Sequence, residues 1–252
     1  MKEFKTDTEK TANTLVGRNP VLEALKAGRE IEKLYICKGT EGSIKKIAAI
    51  AKDKGIPIYY EDKKIFDKIA DGNHQGVAAF VSAHSYCDID DIIQLAKERG
   101  EEPFVIILDG VEDPHNLGAI IRTAEAAGAH GVIIPKRRAV GITETVAKAS
   151  AGASEYMLCA RVSNIGQAID KLKDMGLWIG ALDLGGEHYC GADLKGAIGL
   201  VIGGEGTGVG KLIKEKCDFV LSITMKGKIN SLNASNAAAI LMYEVLRQRN
   251  GR

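Results

Sequence analysis

What most restricts the fold of this chain is a recurring pair: an unbroken apolar run, then a short polar island. The run Phe104-Val105-Ile106-Ile107-Leu108 leads to Asn116-Leu117-Gly118-Ala119-Ile120-Ile121-Arg122. The run Gly199–Ile202 leads into Gly203-Gly204-Glu205-Gly206-Thr207-Gly208, and Phe219–Ile223 precedes Asn230-Ser231-Leu232-Asn233-Ala234-Ser235-Asn236. A strand apolar at every position is covered on both faces, as a parallel strand of an α/β sheet is. Ligands of such sheets bind just past the carboxyl ends of the strands, so the three islands are expected to meet at one site.

The remaining pattern predicts two domains. Polar residues 1–13 read as a flexible tail. Residues 14–84 form a small α/β unit: helices over Pro20–Ala27, Ser43–Lys54 and Lys63–Ala70, and strands at Lys33–Lys38, Pro57–Tyr60 and Gly76–Ser82. Gly28, Gly55 and Gly72 suit the helix stops. Residues 85–102 read as a linker in which Asp88–Gly100 is a helix, acidic first and basic last as the helix dipole favours. Residues 103–252 continue from the first run with helix Leu117–Ala127 and strand Gly131–Ile134, a βαβ unit. Further strands are expected at Met157–Val162, Leu177–Leu182, Gly199–Ile202 and Phe219–Ile223, and helices at Thr143–Ala151, Ile165–Met175, Val209–Glu215 and Ala234–Arg249. The last helix is apolar almost all round from Ala237 to Leu246, broken by Tyr243 and Glu244. A surface helix normally keeps a polar face. A second copy of the chain covering it is the economical reading; deep packing inside a monomer is the other.

Charge is balanced, with 34 Lys and Arg against 33 Asp and Glu, which excludes a wholesale basic nucleic-acid binder. Contact with RNA must come from local patches such as Lys136-Arg137-Arg138. The five cysteines show no C-x-x-C spacing, so reduced thiols are expected rather than disulfides or a metal site. His115, His130 and His188 lack ligand spacing and read as surface or loop histidines. Residues 1–13 hold no apolar signal core, and no apolar run approaches membrane-spanning length, so no membrane association and a cytoplasmic location are expected.

Each island has a plain structural reading beside a functional one. A P-loop would need Ser or Thr after Lys211 and Gly at 205; the chain has Leu212 and Glu205. The spacing Gly204-Glu205-Gly206-Thr207-Gly208 also breaks the dinucleotide fingerprint. What remains is a glycine turn whose backbone can approach a ligand, with Glu205 either a first-turn helix charge or a partner for substrate or Arg122. Asn116 sits where a helix cap is expected, and Arg122 either pairs with Glu125 or Glu112 or meets a phosphate, which Arg binds bidentately. In the third island one cap is needed, and either Ser231 or Asn233 would serve; the other short polar side chains are surplus.

Together the islands resemble the SpoU (TrmH-type) family of RNA ribose 2′-O-methyltransferases: DPHNLGAIIRTAEAAGAHGVIIP, LVIGGEGTGVG and INSLNASNAAAILMYEVLRQR stand for its three motifs, across residues 104–249. The family usually has Val-Ser-Val where this chain has Ala234-Ser235-Asn236. Gly17-Arg18-Asn19-Pro20-Val21 and Asn73-His74-Gln75-Gly76-Val77 are similar to the family's ribosomal-protein-L30-like substrate-binding domain. The arrangement looks most like the bacterial branch that methylates a guanosine in the peptidyl-transferase region of 23S rRNA. The resemblance implies a SPOUT-type α/β fold with a deep trefoil knot, a homodimer through the C-terminal domain, and bent S-adenosylmethionine held by Gly203, Ile223 and Leu232, with Gly204 and Ile134 lining the same pocket.

The resemblance further implies roles. Arg122 is the family's essential arginine, often assigned as the base. A guanidinium hardly deprotonates, so clamping a phosphate and stabilising alkoxide charge suits it better. Asn116 would position the ribose, Glu205 would fix Arg122 or substrate, and Ser231 and Asn233 would complete the hydroxyl's hydrogen-bond shell. The competing readings are a tRNA enzyme of the same family and a catalytically silent RNA-binding protein.

Overall fold

The computed structural model describes residues 14–251 except 28, 30, 41, 65, 67–73, 82–84 and 207. The expected tail over 1–13, most of the helix expected over Lys63–Ala70, the stops at Gly28 and Gly72, and Asn73 and Thr207 lie outside the described residues. The chain divides into two compact units between Ser85 and Tyr86.

In the first unit, strands β1 (Thr14–Val16), β2 (Ile31–Cys37), β3 (Ile58–Glu61) and β4 (Val77–Val81) form a sheet of order β1-β4-β2-β3. Only β2 and β3 run parallel. Helices α1 (Arg18–Lys26) and α2 (Ser43–Asp53) lie on one face, where Val21, Leu25, Ile44 and Ile47 pack against Leu34, Ile36, Val77 and Ala79. Strand β1 was not expected; three residues are too short for any periodicity to register.

The second unit is a three-layer α/β fold. Its strands are β5 (Phe104–Asp109), β6 (Gly131–Pro135), β7 (Leu158–Val162), β8 (Trp178–His188), β9 (Ile198–Gly203) and β10 (Phe219–Ser222), all parallel in the order β10-β8-β9-β5-β6-β7. Side chains alternate across a strand. Phe104, Ile106 and Leu108 therefore face one core with α4 (Pro114–Ala126), α5 (Glu144–Ala149) and α8 (Ala234–Arg249). Val105 and Ile107 face the other core with α3 (Ile89–Arg99) and α6 (Ile165–Asp174). Helix α3 seats closely because Gly131 leaves the room that Ile92 fills. A short α7 (Lys211–Lys214) completes the unit. Among the described residues no helix is long and apolar enough to cross a membrane.

Three local readings are corrected. Asn116 is not a cap: α4 starts earlier, with Asp113 accepting from His115 N–H at 3.1 Å and Pro114 in the first turn. His130 is no surface residue but fully buried, its Nδ1 accepting the Phe104 N–H at 3.0 Å and its Nε2 meeting Glu101 at 3.0 Å. Strand β8 runs past Leu182 to His188, and its pairing with β10 jumps from Ala181↔Val220 to Glu187↔Leu221. The residues between bulge out of the ladder. Gly185 takes φ +77° there, and any Cβ on Gly186 would strike the Val220 carbonyl.

On α8, Ala238, Leu241, Met242 and Val245 are buried inside the unit, while Ile240 and Leu246 are half-buried and Tyr243 is exposed. Glu244, which interrupts the apolar run, is buried yet satisfied by Arg247 at 2.7 Å and Gln248 at 2.8 Å. The Arg247 guanidinium holds its carboxyl below the usual carboxylate range.

Candidate active site

The glycines of the second island serve the protein's own backbone first. A Cβ on Gly203 would overlap the backbone of Gly208, and one on Gly204 would overlap the Gly110 carbonyl. The Gly204 N–H donates to Asp109 O at 2.9 Å, and the Gly208 N–H returns to Gly204 O at 3.1 Å. Gly206 and Gly208 take φ of +79° and +63°, a left-handed region that glycine adopts freely. The loop thus folds back on itself where a Cβ on Gly203 or Gly204 would not fit, and Glu205 stands at its turn. The Asp109 carboxylate holds the exit by accepting the Gly210 N–H at 2.8 Å.

Three residues far apart in sequence close a triangle here. Asn116 Nδ2 donates to Glu205 Oε1 at 2.8 Å, Asn233 Nδ2 donates to the same oxygen at 2.8 Å, and Asn233 Nδ2 also donates to Asn116 Oδ1 at 2.9 Å. Asn116 is 5% exposed, so its amide is locked in the first turn of α4. Asn233 caps α8, its Oδ1 accepting from the N–H groups of Ser235 at 3.0 Å and Asn236 at 3.4 Å. One asparagine therefore does both jobs that the sequence left open. Both amides converge on Oε1, and Glu205 Oε2 has no hydrogen bond among the described residues.

Beside the triangle lies a cleft of about 550 Å³ between the β8 bulge, the glycine loop and the segment before α8. Gly203, Gly204, Ile223, Ser231 and Leu232 all line it, as do Glu205 and Asn233. Ile134 does not: it is buried in the core two strands from β9, beneath the edge rather than at it. Leu182, Asp183, Leu184 and Met225 line the cleft and escaped the sequence reading. The paired glycines Gly185-Gly186 inside an apolar strand pattern were the available signal for that bulge. Asp183 is fixed by Lys214 at 2.6 Å.

Arg122 stays apart from the triangle. It is exposed on α4, with no hydrogen bond or ion pair among the described residues. Six residues of α-helix turn its direction by about 120° from that of Asn116. Glu205 is therefore held by two asparagines and not by Arg122. Burial pushes the thiols of Cys87, Cys159 and Cys217 up to about 11, 12 and 11, which leaves them protonated and inert at neutral pH.

Residues 103–243 match the SpoU rRNA Methylase family, and residues 14–87 match the family described as RNA 2′-O ribose methyltransferase substrate binding. The chain belongs to the SpoU family. A Bacillus subtilis protein, YacO, named for the TrmH family of tRNA/rRNA methyltransferases, is 48% identical over 238 residues, covering 94% of this chain and 96% of that one. The crystal structure of an AdoMet-bound rRNA methyltransferase from Sinorhizobium meliloti shares 26% identity over 94% of this chain and 87% of that one, with a TM-score of 0.57. The SpoU methyltransferase AviRb from Streptomyces viridochromogenes, solved with AdoMet, shares the fold at a TM-score of 0.61, with 24% identity over 98% of this chain and 95% of that one.

Proposed function

We propose that this protein transfers a methyl group from S-adenosylmethionine to the 2′-hydroxyl of a guanosine in the peptidyl-transferase region of 23S rRNA, in the cytoplasm. Family membership, with the match of residues 14–87 to a 2′-O-methyltransferase substrate-binding family, supports RNA ribose 2′-O-methylation. The observation that carries the reading to these residues is the Asn116–Glu205–Asn233 triangle on the rim of the cleft.

The cleft suits the cofactor. Its volume lies within the usual range for small-molecule sites, with apolar walls at Leu182, Ile202, Ile223, Met225 and Leu232 and backbone polar groups from the glycine loop. Leu232 is 41% exposed, an apolar wall awaiting cover. When bound, S-adenosylmethionine supplies a methyl group already activated by its sulfonium charge.

The chain's own residues then align the hydroxyl and manage its proton. Asn116 and Asn233 hold Glu205 rigid through Oε1, which leaves Oε2 to accept a hydrogen bond from the ribose 2′-hydroxyl and to take its proton as the hydroxyl oxygen gains the methyl group. Ser231 adds a hydroxyl to the same shell. Arg122 remains protonated, so it clamps a phosphate of the substrate and offsets developing alkoxide charge. The same reading gives residues 14–84 the task of gripping RNA, gives the C-terminal segment its knotted path, and lets a second copy cover Tyr243 on α8.

The test is methyl transfer from labelled S-adenosylmethionine to 23S rRNA fragments or tRNA, with the product mapped by primer-extension stops. Stops on the 23S fragment are expected, and stops on tRNA alone would overturn the rRNA assignment. Arg122→Ala is expected to lower transfer by about 10²–10³-fold, the cost of removing one charge-stabilising donor, with cofactor binding retained. Loss of both together would overturn its role.

A further inference from the structure

The loop that follows β6 carries Lys136-Arg137-Arg138, and the site described above does not use it. Strand β6 is the neighbour of β5, which in turn neighbours β9, so this loop leaves the sheet at the same carboxyl edge as the glycine loop. The backbone joins them. Gly204 packs on the Gly110 carbonyl, the Gly110 Cβ position lies 3.9 Å from the Arg138 carbonyl, and the Val140 N–H donates to Val111 O at 3.2 Å. On the far side, the Lys136 N–H donates to Val162 O at 2.8 Å.

Two features of Arg137 and Arg138 bear on their role. Both are exposed and form no ion pair or hydrogen bond among the described residues, although charges at adjacent residues repel. Four lysines of this unit are neutralised, Lys171 by Asp90, Lys173 by Asp218, Lys214 by Asp183 and Lys216 by Asp170, whereas Lys97 and Lys195 at the opposite, amino edge have no ion pair among the described residues. Arg138 also sits at φ +55°, one of three non-glycine residues with positive φ among those described. Glycine would occupy that conformation without strain. An arginine there adds nothing to the fold that glycine would not, and what it adds is charge.

We infer that Arg137 and Arg138 bind backbone phosphates of the RNA strand that crosses the active-site edge. This rests on the reading of the protein as an RNA methyltransferase. Guanidinium groups without protein partners, at the edge where the ribose is handled, fit a polyanion that extends past the modified nucleotide on both sides.

The experiment compares wild type with Arg138→Gly and with Arg137→Ala/Arg138→Gly, on a 23S rRNA fragment, across a range of salt concentrations. An amino-edge pair, Lys97→Ala/Lys195→Ala, removes the same number of charges elsewhere. For the double arginine variant the KM for RNA is expected to rise about tenfold or more, and the slope of log affinity against log salt to fall by roughly 1.5, as two lost phosphate contacts require. Turnover at saturating RNA and cofactor affinity stay as in wild type, and Arg138→Gly melts at the same or a higher temperature. An unchanged salt slope, or an equal change in the lysine pair, would overturn the inference. Wild-type protein that binds RNA but methylates none would overturn the proposed reaction instead, and the slope comparison would still decide the role of the two arginines.

Discussion

The two edges of the C-terminal sheet are both wired with polar side chains, but to different ends. At the amino edge Arg249 and His130 are turned onto the protein itself. Arg249, the last residue of α8, donates to the carbonyls of Glu102 at 2.8 Å, Pro103 at 3.1 Å and Gly196 at 2.8 Å, and its guanidinium lies 5.4 Å from the centre of the Phe104 ring. His130 uses both ring nitrogens, on Phe104 and Glu101. At the carboxyl edge the protein spends its amides on fixing one oxygen of Glu205, and the other oxygen, Arg137 and Arg138 keep no partner among the described residues. A buried polar group that is satisfied holds a fold together. A fixed polar group left unsatisfied at a strand end is available to a ligand.

If that contrast is right, substitutions at the two edges separate activity from stability. After Arg122→Ala, the largest effect is expected at Glu205→Gln, which keeps the shape and removes the charge. Methyl transfer should fall about 100-fold, the scale of one lost electrostatic contact in a reacting site. The melting temperature should hold, since the residue is exposed; a thermal shift that matched the loss of activity would make Glu205 a structural residue.

Arg249→Ala is next. Removing a guanidinium that ties α8 to the starts of β5 and β9 should cost about 1–3 kcal/mol of unfolding free energy in urea titrations. Turnover measured well below the melting temperature should match wild type. A variant as stable as its parent would show that those carbonyl contacts carry no net energy.

The smallest effect concerns His130. Burial holds its imidazole below the ordinary histidine range, against the opposing pull of the Glu101 hydrogen bond. The folded state therefore binds a proton less readily than the unfolded chain. The resulting stability is present above the unfolded pKa of about 6.5 and is lost as pH falls through and below it. Urea midpoints should drop between about pH 7.5 and about pH 5.5, and the drop should shrink in His130→Gln. Equal slopes in the two proteins would remove His130 as the cause.

Much of this architecture was legible in the sequence because it rests on short-range patterns. The run 104–108 could only be a strand covered on both faces, and β5 is that strand, its side chains divided between two cores. Helix α8 keeps both expected bounds because Asn233 begins it with a cap and its apolar content spans the whole length. Harder cases turned on single residues. Asn116 resembled a cap because caps and site residues draw on the same short polar side chains. Only the position of Asp113 and Pro114 one turn earlier freed it. Ile134 ends an apolar run as Ile202 does, yet strand order puts it under the core and Ile202 on the cleft.

The sequence by itself determined the elements, the parallel sheet and the three polar islands at its edge, because hydrophobic period and strand-end position are local properties. Only the tertiary structure decided which island residues touch. Asn116, Glu205 and Asn233 are brought together by strand order and by glycines that let two backbones meet, and no local pattern encodes a triangle across 117 positions of sequence. For the same reason the β8 bulge, which adds a wall to the cleft, became visible only where Leu221 pairs with Glu187.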